Sequence, residues 1–199
     1  EFPTTAPFPR ITLPLIKAPW RITAACGIDA LSHGLEGVLA DVQSSESDID
    51  KSRQCVRLVF ENLLHLKEHP EDIAARDAMC LAANYGGNAI NKQLAGYVHA
   101  FAHAIGGKYH IPHGEAIAMC ILPVMRSQMD SCFKKLNELA EFCSFSNVEA
   151  MLDSLESLIK QCDLDLKGSV INPEDFNRLA IAIAKDSINY SAPMTFNHQ

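Results

Sequence analysis

His99-Ala-Phe-Ala-His103-Ala-Ile-Gly106-Gly107-Lys-Tyr-His110-Ile-Pro112-His113 holds four of the chain's eight histidines. Tyr97 to Ile105 is compatible with a helix. His99 and His103 stand one turn apart on it, so both rings leave the same face. Gly106-Gly107 is expected to end the helix, because glycine takes the left-handed cap without strain. Lys108 to Pro112 then turns the chain, and Pro112 fixes the backbone just before His113. A helix, a glycine stop and a rigid return would aim His113 back at His99. A metal ion needs such an arrangement, with ligands from separate backbone segments held at about 2.1 Å. The competing reading is of ordinary polar residues on a half-buried helix, which explains one histidine more readily than four.

Upstream, the stretch from about Cys26 to Val42 reads as a helix with Ile28, Leu31, Leu35, Val38 and Leu39 in one apolar stripe. Asp29 and His33 are i, i+4 on it. That pair is either half of a site or an ordinary helix pair contributing about 0.2–0.5 kcal/mol. Glycines 27, 34 and 37 permit close approach of another backbone or a ligand.

The rest of the chain reads as more helix. Ser45-Glu-Ser-Asp48 is a capping box opening a helix to about Lys67. His65 and His69 near its end suit the negative end of the helix dipole better than a metal. Pro70-Glu-Asp72 reads as the start of the next helix, with proline in its first turn. The small residues from Ala82 to Gly87 imply tight packing rather than a cofactor. Glu115 to Met125 is apolar on most sides, as a central helix would be, with Pro123 as a kink or stop. Residues 130–143 form a shorter helix. Ser146-Asn-Val-Glu149 is a second capping box, before the stripe Val148, Met151, Leu152, Leu155, Ile159 and Cys162. Asn172-Pro173 caps a last helix with Phe176, Leu179, Ala180 and Ile183 inward. No strand pattern or internal repeat is found. The expected fold is all-α, with roughly seven to nine helices.

At 199 residues the chain is one domain or a large part of a longer protein. The proline-rich residues 1–24 read as an extended lead-in or connector, and residues 25–199 as the helical domain. The chain does not begin with Met and reads as a fragment. A net charge of -7 with no basic run argues against nucleic acid. No apolar run approaches the roughly 18 residues of a membrane span, and no secretory signal is read. Seven cysteines, an odd number with no Cys-x-x-Cys, suit reduced core residues of a cytoplasmic protein.

Several helical metal-site classes are excluded. There is no His-Glu-x-x-His, no Glu-x-x-His and no His-Asp dipeptide. What remains is Asp29-x-x-x-His33, then His99, then His113. Gly27-Ile-Asp29-Ala-Leu-Ser-His33-Gly-Leu-Glu36 resembles the motif of the iron-dependent (group III) alcohol dehydrogenases. His99 through His113-Gly-Glu-Ala-Ile-Ala resembles that family's second signature, including the thirteen residues between its ligand histidines.

The resemblance implies an all-α, helical metal-binding C-terminal domain of the dehydroquinate synthase-like and iron alcohol dehydrogenase type. It implies Asp29, His33, His99 and His113 as metal ligands for Fe(II) or Zn(II), and His103 as a catalytic residue beside the nicotinamide and substrate. It implies NAD(P) held mainly by an N-terminal nucleotide-binding domain that is missing from these residues, so the fragment alone is expected to be inactive. The expected substrate is a small alcohol, diol or aldehyde, and a homo-oligomer is left open. The resemblance departs near the end, where Ser191-Ala-Pro193 stands in place of the family's Asn-Pro-Arg. Two other readings stay open: a helical metal-binding or interaction domain without catalysis, and a metal hydrolase using an open coordination position for water.

Overall fold

One helix, α1 (Trp20–Leu39), runs through the middle of the molecule and is buried on nearly every side. The computed structural model describes residues 15–40, 44–166 and 171–186. Among them α1 is followed by α2 (Glu46–Asn62), the single turn α3 (His65–Glu68), α4 (Ile73–Gln93), α5 (Tyr97–Tyr109), α6 (His113–Gln128), α7 (Phe133–Phe142), α8 (Val148–Gln161) and α9 (Phe176–Asp186). No strand occurs among the described residues, and the fold is all-α. No helix among them is long and apolar enough to cross a membrane.

The apolar stripe of α1 does what its period requires. Ile28, Leu31, Leu35, Val38 and Leu39 are all buried, and α2, α4, α5, α6 and α7 pack around them. The α1 glycines serve helix packing, not a ligand. A Cβ at Gly34 would stand 2.9 Å from the Ser52 carbonyl oxygen of α2. On the other side α8 presents its uninterrupted stripe, from Val148 to Cys162, to α6 and α7. The core is thus built around α1, and α5 and α6 pack against each other and against it, joined by a three-residue turn at residues 110–112.

Several element boundaries differ from the sequence reading. Residues 20–24, expected to be extended, are the first turn and more of α1. Pro19 precedes that turn, where no backbone N–H is needed, so the proline starts the helix. Trp20 Nε1 donates to the Cys162 carbonyl at 3.0 Å, tying the start of α1 to the end of α8. The helix opened by Ser45 stops at Asn62, five residues before Lys67, and resumes as α3. The next helix starts at Ile73 and not at Pro70, and Asp72 caps it, its side chain accepting from the Ala74 and Ala75 amides. Asn147, not Ser146, caps α8, accepting from the Ala150 amide at 2.9 Å. Pro123 lies inside α6 without ending it. Phe176 and Ala180 of α9 are exposed, and only Leu179 and Ile183 of the expected set face inward, toward α5. Of the cysteines, Cys55, Cys120, Cys132 and Cys162 are buried as expected, whereas Cys26 is exposed. Residues 1–14 and Ser191-Ala-Pro193 lie outside the described residues.

Candidate metal centre

A further boundary difference lies in the histidine stretch. Gly106-Gly107 does not end α5, which continues through both glycines to Tyr109. His110 takes the left-handed conformation instead, with φ 53°. Histidine tolerates that region better than most non-glycine residues. Pro112, at φ -54° and ψ 141°, then starts α6, so His113 is the first residue of a helix. The return toward His99 is made, one turn later than the glycines would have made it.

Three imidazoles converge on one carboxylate oxygen. Asp29 Oδ1 lies 3.5 Å from His33 Nε2, 3.5 Å from His99 Nε2 and 3.2 Å from His113 Nε2. Asp29 and His33 come from α1, His99 from α5 and His113 from the start of α6. The donor atoms of Asp29, His99 and His113 all lie within 4.8 Å of one another. The His33 and His99 rings stack at 4.7 Å. Gly86 of α4 sits behind His33, and a Cβ there would be 3.0 Å from that of His33. The small residues of α4 therefore let the helix press against the back of the site.

Asp29 Oδ1 and His99 Nε2 are buried and have no hydrogen-bond partner. Such atoms are costly unless something else satisfies them. Ligands held at about 2.1 Å in a tetrahedral set are separated by about 3.4 Å; Asp29 Oδ1 stands 3.2–3.5 Å from each imidazole nitrogen, while His33 falls outside the group whose donor atoms all lie within 4.8 Å of one another. A carboxylate with three imidazoles also suits a borderline divalent cation. The residues present fit a metal ion.

Burial and mutual proximity set the ionisation of these groups. Burial opposes ionisation of Asp29, but His113 and His99 against its oxygen, with the charges of His33 and His113, outweigh it and hold the carboxyl far below the usual range. Burial likewise opposes protonation of His99, yet the carboxylates of Asp29 and Glu36 push its pKa up to about 9. Burial pulls the His33 pKa down, against the attraction of Asp29. A cation bound at that oxygen would displace the proton from His99, because a ligand imidazole binds in its neutral form.

His103 is exposed beside the cluster, its ring 5.8 Å from that of His99 and 5.3 Å from that of His113. His65 stands apart, with Nε2 2.8 Å from Asp72 Oδ2. One residue given no role from sequence belongs to the cluster. Glu36 is buried, with Oε2 2.6 Å from His99 Nδ1. Its place three residues after His33, on the same face of α1, was the available signal.

A family model described as Fe-containing alcohol dehydrogenase family, C-terminal, matches residues 23–199. The chain belongs to the iron-containing alcohol dehydrogenase family. Within that family it is 31% identical over 187 residues to alcohol dehydrogenase 4 of Saccharomyces cerevisiae, covering 91% of this chain and 49% of the relative. It is 31% identical over 196 residues to the 1,3-propanediol dehydrogenase of Klebsiella pneumoniae, covering 93% and 50%. A crystal structure of a 1,3-propanediol oxidoreductase superposes with a TM-score of 0.85 at 28% identity, over 94% of this chain and 51% of that one. This family member thus spans about half the length of the relatives it matches. Both motifs that carried the resemblance lie inside the matched residues.

Proposed function

We propose that this chain is the metal-binding half of an NAD(P)-dependent alcohol dehydrogenase or aldehyde reductase acting on a small alcohol, diol or aldehyde. The observation that carries the reading is the convergence of three imidazole nitrogens on Asp29 Oδ1 at 3.2–3.5 Å. Family membership supports the reaction class. The relatives named for propanediol and propanol support a short alcohol or diol as substrate.

Asp29, His33, His99 and His113 would hold Fe(II) or Zn(II), both of which suit these donors. When bound, the ion supplies Lewis-acid polarisation of the alcohol or carbonyl oxygen, and NAD(P) takes or returns the hydride. The chain's own residues then do three things. Asp29 supplies the one negative charge among four ligands, leaving a divalent site net positive toward an incoming oxygen. His113, half-exposed where the other ligands are more buried, marks the open side from which substrate approaches. His103, exposed on that side, accepts the alcohol proton or returns it to the product.

The relatives' remaining length has no counterpart in these residues, and we assign the dinucleotide mainly to such a segment. The test is absorbance at 340 nm with Fe(II) or Zn(II) added, on this chain alone and on a protein that joins it to a nucleotide-binding half. Turnover of short alcohols or diols is expected only from the joined protein, and should be lost with His99→Ala. Silence of the joined, metal-loaded protein across primary alcohols, diols and aldehydes would count against the reading.

A further inference from the structure

Glu36 is the only residue of the cluster that touches His99 from the side away from Asp29. Its two oxygens have separate tasks. Oε2 lies 2.6 Å from His99 Nδ1. Oε1 accepts from the Val98 amide at 2.6 Å and, more weakly, from the His99 amide at 3.4 Å. Those amides belong to the first turn of α5, which has no intrahelical partners for them. Gly96, at the N-cap of α5, has no side chain to offer and makes no side-chain cap. A carboxylate from α1 therefore caps α5 across the interface, where the positive end of the helix dipole favours it.

Gly96 makes room for this contact. A Cβ there would stand 2.8 Å from Glu36 Oε1. A local capping residue such as Ser or Asn is thereby excluded, and the cap is tied to Glu36.

We propose that Glu36 is a positioning residue of the metal site: it holds the proton of His99 on Nδ1 and so keeps Nε2 as the metal-facing lone pair. This rests on the metal-site reading above. The physical reason is directional. An imidazole bound through one nitrogen carries its proton on the other, and an acceptor on that second nitrogen fixes the tautomer and the ring plane. Glu36 also fixes the backbone of the same residue by bonding its amide and that of Val98. Ring and main chain of His99 are thus set by one carboxylate. Because Asp29, His33 and Glu36 share a face of α1 at spacings of four and three, this helix supplies two donors and orients the third.

A neutral amide cannot replace the carboxylate. Both Glu36 oxygens accept, one from Nδ1–H and one from backbone N–H. In Glu36→Gln one position must become an NH2 group. If that group faces the α5 amides, donor meets donor and the cap is lost. If it faces His99, it requires Nδ1 as acceptor and moves the ring proton to Nε2, where the metal belongs.

The experiment is a Zn(II) titration of the 199-residue chain against a chromophoric chelator, for wild type, Glu36→Gln and Gly96→Ala, with far-UV circular dichroism to verify the fold. Proton NMR of the Zn(II)-loaded wild type is recorded alongside. Zn(II) affinity should fall about 10–100-fold in Glu36→Gln, with a smaller loss in Gly96→Ala, whose new methyl displaces the carboxylate. Loaded wild type should show a His99 Nδ1 proton far downfield, as a short charge-assisted bond requires. A role for Glu36 confined to capping the Val98 and His99 amides would not produce that resonance. Folded Glu36→Gln with wild-type Zn(II) affinity would overturn the proposal, as would a loaded wild type in which the His99 ring proton is absent from Nδ1. The NMR result decides even where a variant does not fold. Failure of the wild type to bind Zn(II) at all would instead overturn the metal-site reading.

Discussion

Asp29 Oδ1 and His99 Nε2 face each other at 3.5 Å across the α1–α5 interface, and neither has a hydrogen-bond partner. Two buried polar atoms left in this way destabilise the fold they sit in, and a cation between them would relieve both. Metal should therefore raise stability. At free Zn(II) about 100 times its Kd, the gain is about 2.7 kcal/mol. Thermal unfolding with Zn(II), and with a chelator, measures it. Asp29→Ala should abolish the metal-dependent shift in Tm. An equal shift in that variant would place the ion elsewhere.

The histidines divide into two groups. His99→Ala and His113→Ala should bind far less metal than wild type, because each removes a donor close to Asp29 Oδ1. His65→Ala should load normally, since His65 is engaged with Asp72 near the start of α4. Metal content per chain after gel filtration reads this directly. Equal loading of all three variants would mean that the wrong histidines have been chosen.

The ends of the helices separate two readings of the same sequence. Ser146 and Asn147 are both good capping residues, and the spacing to Glu149 favours Ser146 as the cap. In the structure Asn147 does the capping. Asn147→Ala should cost about 1 kcal/mol, whereas Ser146→Ala should change stability by less than about 0.5 kcal/mol. Denaturant unfolding of the two variants measures both. The reverse order would restore the sequence-based boundary.

Much of this fold was legible because its helices are amphipathic at a constant period. Every residue named in the stripes of α1 and α8 is buried, and so are residues outside them, among them Ser32, Glu36 and Leu158. Caps were harder to read, because adjacent residues such as Ser146 and Asn147 have nearly equal local merit and packing chooses between them. Pro19 misled in the same way, since proline's effect depends on whether its position needs an N–H. The structure brings together Asp29, His33, His99 and His113, which spacing and resemblance had singled out. Glu36 was not singled out: its place three residues after His33 put it on the right face of α1, but its partner His99 is on another helix.

Acid should loosen the seat of α9. Asp175, just before α9, lies 2.9 Å from Lys108 Nζ and accepts from the Tyr109 hydroxyl at 2.8 Å. Lys108, then Tyr109, hold its carboxyl below the ordinary value of 3.8. A carboxyl depressed on folding stabilises above its unfolded pKa, and loses that contribution as pH falls through the folded one. The Tm of wild type should therefore exceed that of Asp175→Asn near neutral pH. The gap should close as pH falls from about 4 toward 2. A gap that persists unchanged at the acid end would show that Asp175 acts through packing and not through its charge.

Gly107 offers the sharpest test of how α5 ends. If the two glycines stopped the helix in the left-handed conformation, any side chain at either position would be strained, and alanine would destabilise the chain. In the structure α5 continues to Tyr109, with no glycine at positive φ among the described residues. A Cβ at Gly107 would meet nothing within 4 Å. Glycine in an open helical position has only an entropic cost, so Gly107→Ala should stabilise by about 0.5–1 kcal/mol. Gly106 differs, because a Cβ there would stand 3.2 Å from the Ile111 carbonyl oxygen in the turn that returns the chain to His113. Gly106→Ala should gain less or lose stability, and it should disturb metal binding more than Gly107→Ala does. Denaturant unfolding and Zn(II) titration of the two variants separate these effects. Destabilisation by Gly107→Ala would return the end of α5 to the glycines, and with it the position of His110 as the left-handed cap.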